Sequence, residues 1–192
     1  MQRLKVKWWL AAGILGSVEF WLFQVRTGSS TIPQFMGEQI VAQGGYPKLL
    51  TLPIGWGVHL GVSLGYALLF AIIMLFAFSR SPFARLVIGA VIALVLGWFA
   101  TLLTAPAITV TISLLSGQGF PATLPGLNTT LGLPLWNHLL FFGVVWVVYL
   151  LIPNLFRSRK LSPTAAPKLS PTSAPKLPPK SAPWYTSKPT GS

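Results

Sequence analysis

Apolar positions in this chain run in long stretches, without the alternating or one-faced patterns of a water-soluble domain. Residues 8–25, 54–78, 86–109 and 135–156 each approach the roughly 20 apolar residues that cross about 30 Å of hydrocarbon at about 1.5 Å per residue. Polar and turn-forming residues separate them: Gly44-Gly45-Tyr46-Pro47, then Ser79-Arg80-Ser81-Pro82, then the glycines and prolines between Gly117 and Pro134. Pro106, followed by Thr109, Thr111 and Ser113, predicts that the third span kinks or ends near Thr109, leaving an interfacial piece to Leu115. The expected fold is all-α, an integral membrane four-helix bundle over residues 1–156 with a disordered tail over 157–192.

Composition agrees with lipid as the solvent. Hydrophobic residues make up 53% and charged residues only 8%, against about a quarter charged in soluble domains. The net charge of +12 is concentrated toward the C-terminus and comes with no helix-turn-helix, zinc-ligand spacing or RNA-binding aromatic motif, so nucleic acid is not an expected partner. The absence of cysteine excludes disulfides, thiolate catalysis, cysteine-ligated clusters and covalently attached haem. No serine elbow, HExxH or paired acids are present, so no catalytic residue is assigned and the chain reads as non-enzymatic.

Charge also predicts direction. Arg3, Lys5 and Lys7 precede the first span, Arg80 and Arg85 lie between the second and third, and the rest of the group follows the fourth, while Arg26 and Lys48 alone lie on the other side. Positive residues near short loops stay in the cytoplasm, so both termini are expected inside, in a multi-pass protein of the bacterial inner membrane. Trp8, Trp9, Trp56 and Trp136 fall near span ends, where an aromatic belt sits. The basic, apolar N-terminus lacks a small-residue cleavage site and contains Glu19, so it reads as an uncleaved anchor.

Helices in lipid approach through small residues. Gly57, Gly61 and Gly65 on the second span, and Gly89, Ala93, Gly97 and Thr101 on the third, form two ladders at four-residue spacing. Each is a candidate helix-packing surface, within the chain or toward a homodimer or another membrane protein.

Three strongly polar ionisable residues fall in or near the spans: Glu19, His59 and His138. Glu19 lies roughly 9 Å, and the histidines roughly 5 to 8 Å, from the same ends of their helices, so all three share a level in the outer leaflet. Along α-helical geometry His59 points away from the Gly57, Gly61, Gly65 stripe. The histidines occur in related phrases, Pro53 to Leu60 (PIGWGVHL) and Pro134 to Leu139 (PLWNHL), which raises a twofold repeat. Three readings are open: backbone or headgroup contacts, with Glu19 protonated or paired with Arg26; a proton-responsive constellation; or a cofactor site in which His59 and His138 ligate a b-type haem or bind a metal with Glu19. The first two require neither cofactor nor metal. A small dimeric permease is a further alternative.

Beyond residue 156 the octad LSPTAAPK, Leu161 to Lys168, recurs as LSPTSAPK, Leu169 to Lys176, and then degenerates. Such proline density prevents helix and sheet, and its lysines suit an anionic lipid surface.

Leu15-Gly16, His59, Gly97, Pro106 and Asn137-His138-Leu139-Leu140, taken in this order over about residues 10 to 153, give a layout that resembles the YagU-like small inner-membrane proteins of bacteria. The resemblance implies a four-helix membrane domain and a role linked to acid resistance or envelope homeostasis. The Pro/Lys tail has no counterpart in that layout.

Overall fold

The computed structural model describes residues 6–77 and 81–158. Arg3, Lys5 and Arg80, which carry part of the charge bias, and the tail from residue 159 lie outside the described residues. The described residues form α1 (Val6–Arg26), α2 (Ile32–Gly44), a 3-10 turn (Lys48–Leu50), α3 (Thr51–Phe76), α4 (Pro82–Leu115) and α5 (Leu133–Ser158), with no strand among them. Four helical stretches are long and apolar enough to cross a membrane: Trp8–Arg26, Lys48–Phe76, Phe83–Leu115 and Leu133–Leu151. Leu94, Val95, Trp98 and Phe99 are exposed side by side on α4, as suits a surface solvated by hydrocarbon.

Two expectations need correction. The stretch between the first two predicted spans, to which no helix was assigned, contains α2. Pro33 sits in its first turn, the Gln24 Oε1 accepts from the Ile32 N–H at 2.9 Å, and Gly45 ends it in the left-handed region at φ 67°. Met36, Ile40 and Val41 face inward, whereas Gln34 and Glu38 hydrogen-bond to each other on the exposed side. The contact with α3 is backbone on backbone: a Cβ at Gly37 would overlap the Thr51 carbonyl, and one at Gly55 would overlap that of Pro33.

The third span does not end near Thr109. Helix α4 continues through Pro106 to Leu115, 34 residues or about 51 Å, well beyond the hydrocarbon thickness. Proline lacks the N–H that would bond to Leu102, and the backbone N–H of Asn128 in the following loop supplies that bond at 3.0 Å. The hydroxyls of Thr101, Thr104, Thr109 and Thr111 each donate to the carbonyl four residues earlier, so the polar tract is satisfied without leaving the helix.

Helix α1 packs against α3 and α5, α5 also against α4, and α2 against α3 with a lighter contact to α4. Gly13 meets Leu64 and Ala67, and Gly16 meets Phe141 and Val145. The α4 ladder does pack within the chain, with Gly89 under the Trp146 indole, Gly97 under Leu139 and Ala93 buried between them. The α3 ladder does not: among the described residues nothing lies within 4 Å of where a Cβ would stand at Gly57, Gly61 or Gly65. Helix α3 instead turns Gly55, His59, Ser63, Ala67 and Ala71 inward at the same four-residue spacing.

Phe70, Phe142 and Val145 centre the larger core, and Met36, Ile40 and Ile112 a second one. The second core ties α2 to the extension of α4 beyond Pro106. It forms a cap at the end of the molecule where α1 finishes and α3 and α5 begin.

Candidate functional site

Between the two cores lies a cavity of about 180 Å³ to which all five helices contribute. Its polar lining includes Gln24, His59, Ser63, Asn137 and His138, and its apolar lining includes Phe20, Met36, Val62, Ile108 and Phe141.

Both predicted histidines are there. Phe20, 8% exposed, is the residue that relates them: its ring centroid lies 5.4 Å from that of His59 and 5.5 Å from that of His138. The imidazoles therefore lie within about 11 Å of each other, in contact with the same phenyl ring. Trp56 stacks edge-on against His59 at 5.7 Å and continues the aromatic contact to Trp21.

Each imidazole has one nitrogen bonded to a helix carbonyl. His59 Nε2 lies 3.2 Å from the Ser17 carbonyl of α1, and His138 Nδ1 lies 2.7 Å from the Pro134 carbonyl of its own helix. A carbonyl only accepts, so the proton is on that nitrogen in both rings. In the neutral imidazole the other nitrogen, Nδ1 of His59 and Nε2 of His138, is then an acceptor. Thr101, 2% exposed, sits with its hydroxyl 3.3 Å from His138 Nδ1 and donates to the Gly97 carbonyl at 2.8 Å. The similar phrases in the sequence thus bring the histidines to one place through different bonds, across helices for His59 and within a helix for His138.

Glu19 does not join them. It is half-buried on α1, does not line the cavity, and its Oε2 is buried without a hydrogen-bond partner among the described residues. Adjacent helical residues diverge by about 100°, and here it is Phe20 that faces the histidines. No group of three or more metal-binding side chains occurs among the described residues. As for haem, both rings rest against Phe20, and a cavity of about 180 Å³ is smaller than the haem macrocycle itself. An iron between the two imidazoles would require Phe20 to leave and the neighbouring helices to part.

Sequence reasoning missed Phe20, Gln24, Ser63 and Asn137 as site residues. Ser63 was recoverable, four residues beyond His59 on the face that also carries Gly55 and Ala67. Asn137, 5% exposed, carries a second orphan, since its Oδ1 is buried without a partner among the described residues. Buried unpaired amides are costly, by about 1–3 kcal/mol, and mark places where a polar partner is wanted. No family model, curated protein or solved structure matches the chain.

Proposed function

We propose that this chain is a multi-pass protein of the bacterial inner membrane, with both termini in the cytoplasm, that acts without catalysis by holding a small molecule in the cavity around Phe20. The observation that carries the reading is the convergence of His59 and His138 on that cavity beside the orphaned amide of Asn137. Each histidine has its proton committed and a lone pair to offer, an arrangement suited to recognition. Charge bias supports the orientation, which puts the cavity and the α2 cap on the extracytoplasmic side. The layout shared with YagU-like proteins supports a role in acid or envelope homeostasis, with the bound molecule as the sensed or carried component. The lysines of the tail would hold the C-terminus to anionic lipid.

Native mass spectrometry of the full chain released from lipid particles tests this. A non-covalent small molecule is expected on the wild type and is expected to be lost from Ser63→Leu, which fills the cavity. A bare wild-type protein, or a molecule retained equally by the filled variant, contradicts the reading.

A second reading rests on the exposed Gly57, Gly61 and Gly65 face, which suits close approach of a partner helix and thus a homodimer or an accessory subunit. Cross-linking through Gly61→Cys tests it: an intermolecular product from particles holding the native protein supports it, and monomer alone contradicts it.

A further inference from the structure

The cavity has a side entrance. Toward the end of the molecule opposite α2, helices α3 and α4 come together, with the Met74 methyl 3.5 Å from a Cβ built at Gly89. Toward the cap, Met36 and Ile40 of α2 fill the space beside Ile112 of α4. Between these two closures, Val62 on α3 and Ala107 on α4 line the cavity and are also exposed, Val62 by 48%. The mouth is therefore an apolar gap between α3 and α4.

The depth of this gap can be placed. Twenty residues of helix cover about 30 Å, so counting back from Phe76 brings the outer hydrocarbon boundary to about Gly57 on α3, and counting forward from Phe83 brings it to about Leu102 on α4. Val62 is then about 7–8 Å inside that boundary and Ala107 about as far outside it, so the gap straddles the boundary. His59, two residues inside Gly57, lies about 3 Å inside that boundary. A cavity of about 180 Å³ encloses about six water-sized volumes, enough for a headgroup fragment but not for a whole lipid, whose chain would have to trail through the gap.

The remaining imidazole nitrogens are acceptors, so the molecule they recognise carries a donor. From this combination we infer that the cavity takes a bilayer-resident amphiphile with a hydroxyl head, a lipid alcohol, which enters sideways between α3 and α4 and presents its O–H to His59 or His138. The inference rests on the small-molecule reading above and narrows it to one ligand class and one route. A fatty ester or an alkane would reach the same gap but bring no donor, leaving the histidine lone pairs unmatched.

The chain has only two histidines, so histidine-selective 15N labelling gives a spectrum with signals from those two side chains alone. The labelled full-length protein in lipid nanodiscs is titrated in parallel with 1-dodecanol, methyl dodecanoate and dodecane, and His59→Gln assigns the signals. Dodecanol is expected to shift the non-protonated nitrogen of at least one histidine saturably, the ester and the alkane to leave it in place, and Val62→Trp to weaken the dodecanol response at least tenfold. Equal shifts with all three probes would overturn the hydroxyl recognition while leaving a binding cavity. An undiminished response in Val62→Trp, in a variant whose starting spectrum matches the wild type, would overturn the sideways route. No response to dodecanol from a protein that carries a releasable molecule by mass spectrometry would overturn the ligand class alone. No response from a protein that carries none would remove both readings.

Discussion

Asn128 donates its backbone N–H to the carbonyl oxygen of Leu102 at 3.0 Å, the carbonyl that Pro106 leaves without its helical donor. One bond explains two features: α4 runs through a proline without ending, and the α4–α5 loop is fastened to the helix. Pro106→Ala restores an N–H at residue 106, which competes for the same carbonyl. The loop is then expected to exchange its amide hydrogens faster around Asn128, by about fivefold for a bond of about 1 kcal/mol, while α4 itself becomes more protected. Hydrogen exchange of the full chain in nanodiscs reads both changes; unchanged exchange at residues 124–130 would show that the loop is held by something else.

The glycines should separate sharply by position. Gly37→Ala and Gly55→Ala each drive a methyl into a backbone carbonyl of the facing helix, where no side chain can move aside. Each is expected to destabilise the protein by about 1–3 kcal/mol or more and to loosen α2 from α3. Gly57→Ala, two residues from Gly55, meets nothing among the described residues and should leave the monomer within about 0.5 kcal/mol of the wild type. Reversible unfolding in mixed micelles, with each variant compared at the same protein concentration, distinguishes these outcomes.

Phe20→Ala removes the ring against which both imidazoles rest and should lower stability by up to about 3–5 kcal/mol. It also joins the space of the phenyl ring to the cavity. Visible spectra after incubation with haem are expected to show no Soret band from the wild type. A band in Phe20→Ala alone would identify the phenyl ring as what keeps the two histidines from an iron, whereas a wild-type band lost in His59→Ala would make this a haem protein and displace the proposed function.

Gln24→Leu removes the side-chain acceptor at the start of α2 while keeping its bulk. A loss of about 1 kcal/mol and faster exchange at Ile32 are expected, because that N–H has no helical acceptor of its own. Protection unchanged at Ile32 would show that the cap contributes nothing to holding α2.

Much of the site's level was legible in the sequence and little of its interior. Pro53 and Pro134 mark the helix starts, so His59 and His138 could be set at one depth by counting residues, and the 100° rotation per residue already put His59 opposite Gly57, Gly61 and Gly65. What counting could not show was which side of α3 meets the chain. In a span apolar all round, periodicity carries no inside and outside, and the visible glycine ladder drew attention from the mixed Gly55, Ser63, Ala67 ladder that packs. Phe20 was hidden for the same reason, as one aromatic among many in α1. Helix α2 could have been found, since Pro33, the four-residue step from Met36 to Ile40, and Gly44-Gly45 give a start, a face and a stop. The helical course past Pro106 could not, because it depends on a loop amide 26 positions from the carbonyl it serves.

The convergence of His59 and His138 on one cavity is the relationship on which the small-molecule reading depends, and the absence of native cysteine makes it directly measurable. In the double variant His59→Cys/His138→Cys, a bis-methanethiosulfonate linker of about 10 Å is expected to join the two positions within one chain, identified by peptide mass spectrometry of the monomer band. The control pair Gly57→Cys/His138→Cys, with Gly57 on the opposite, exposed face of α3, should not be joined. Linkage of the control pair but not of the histidine pair would mean that α3 presents its other face to the interior, and the cavity around Phe20 would not exist as described.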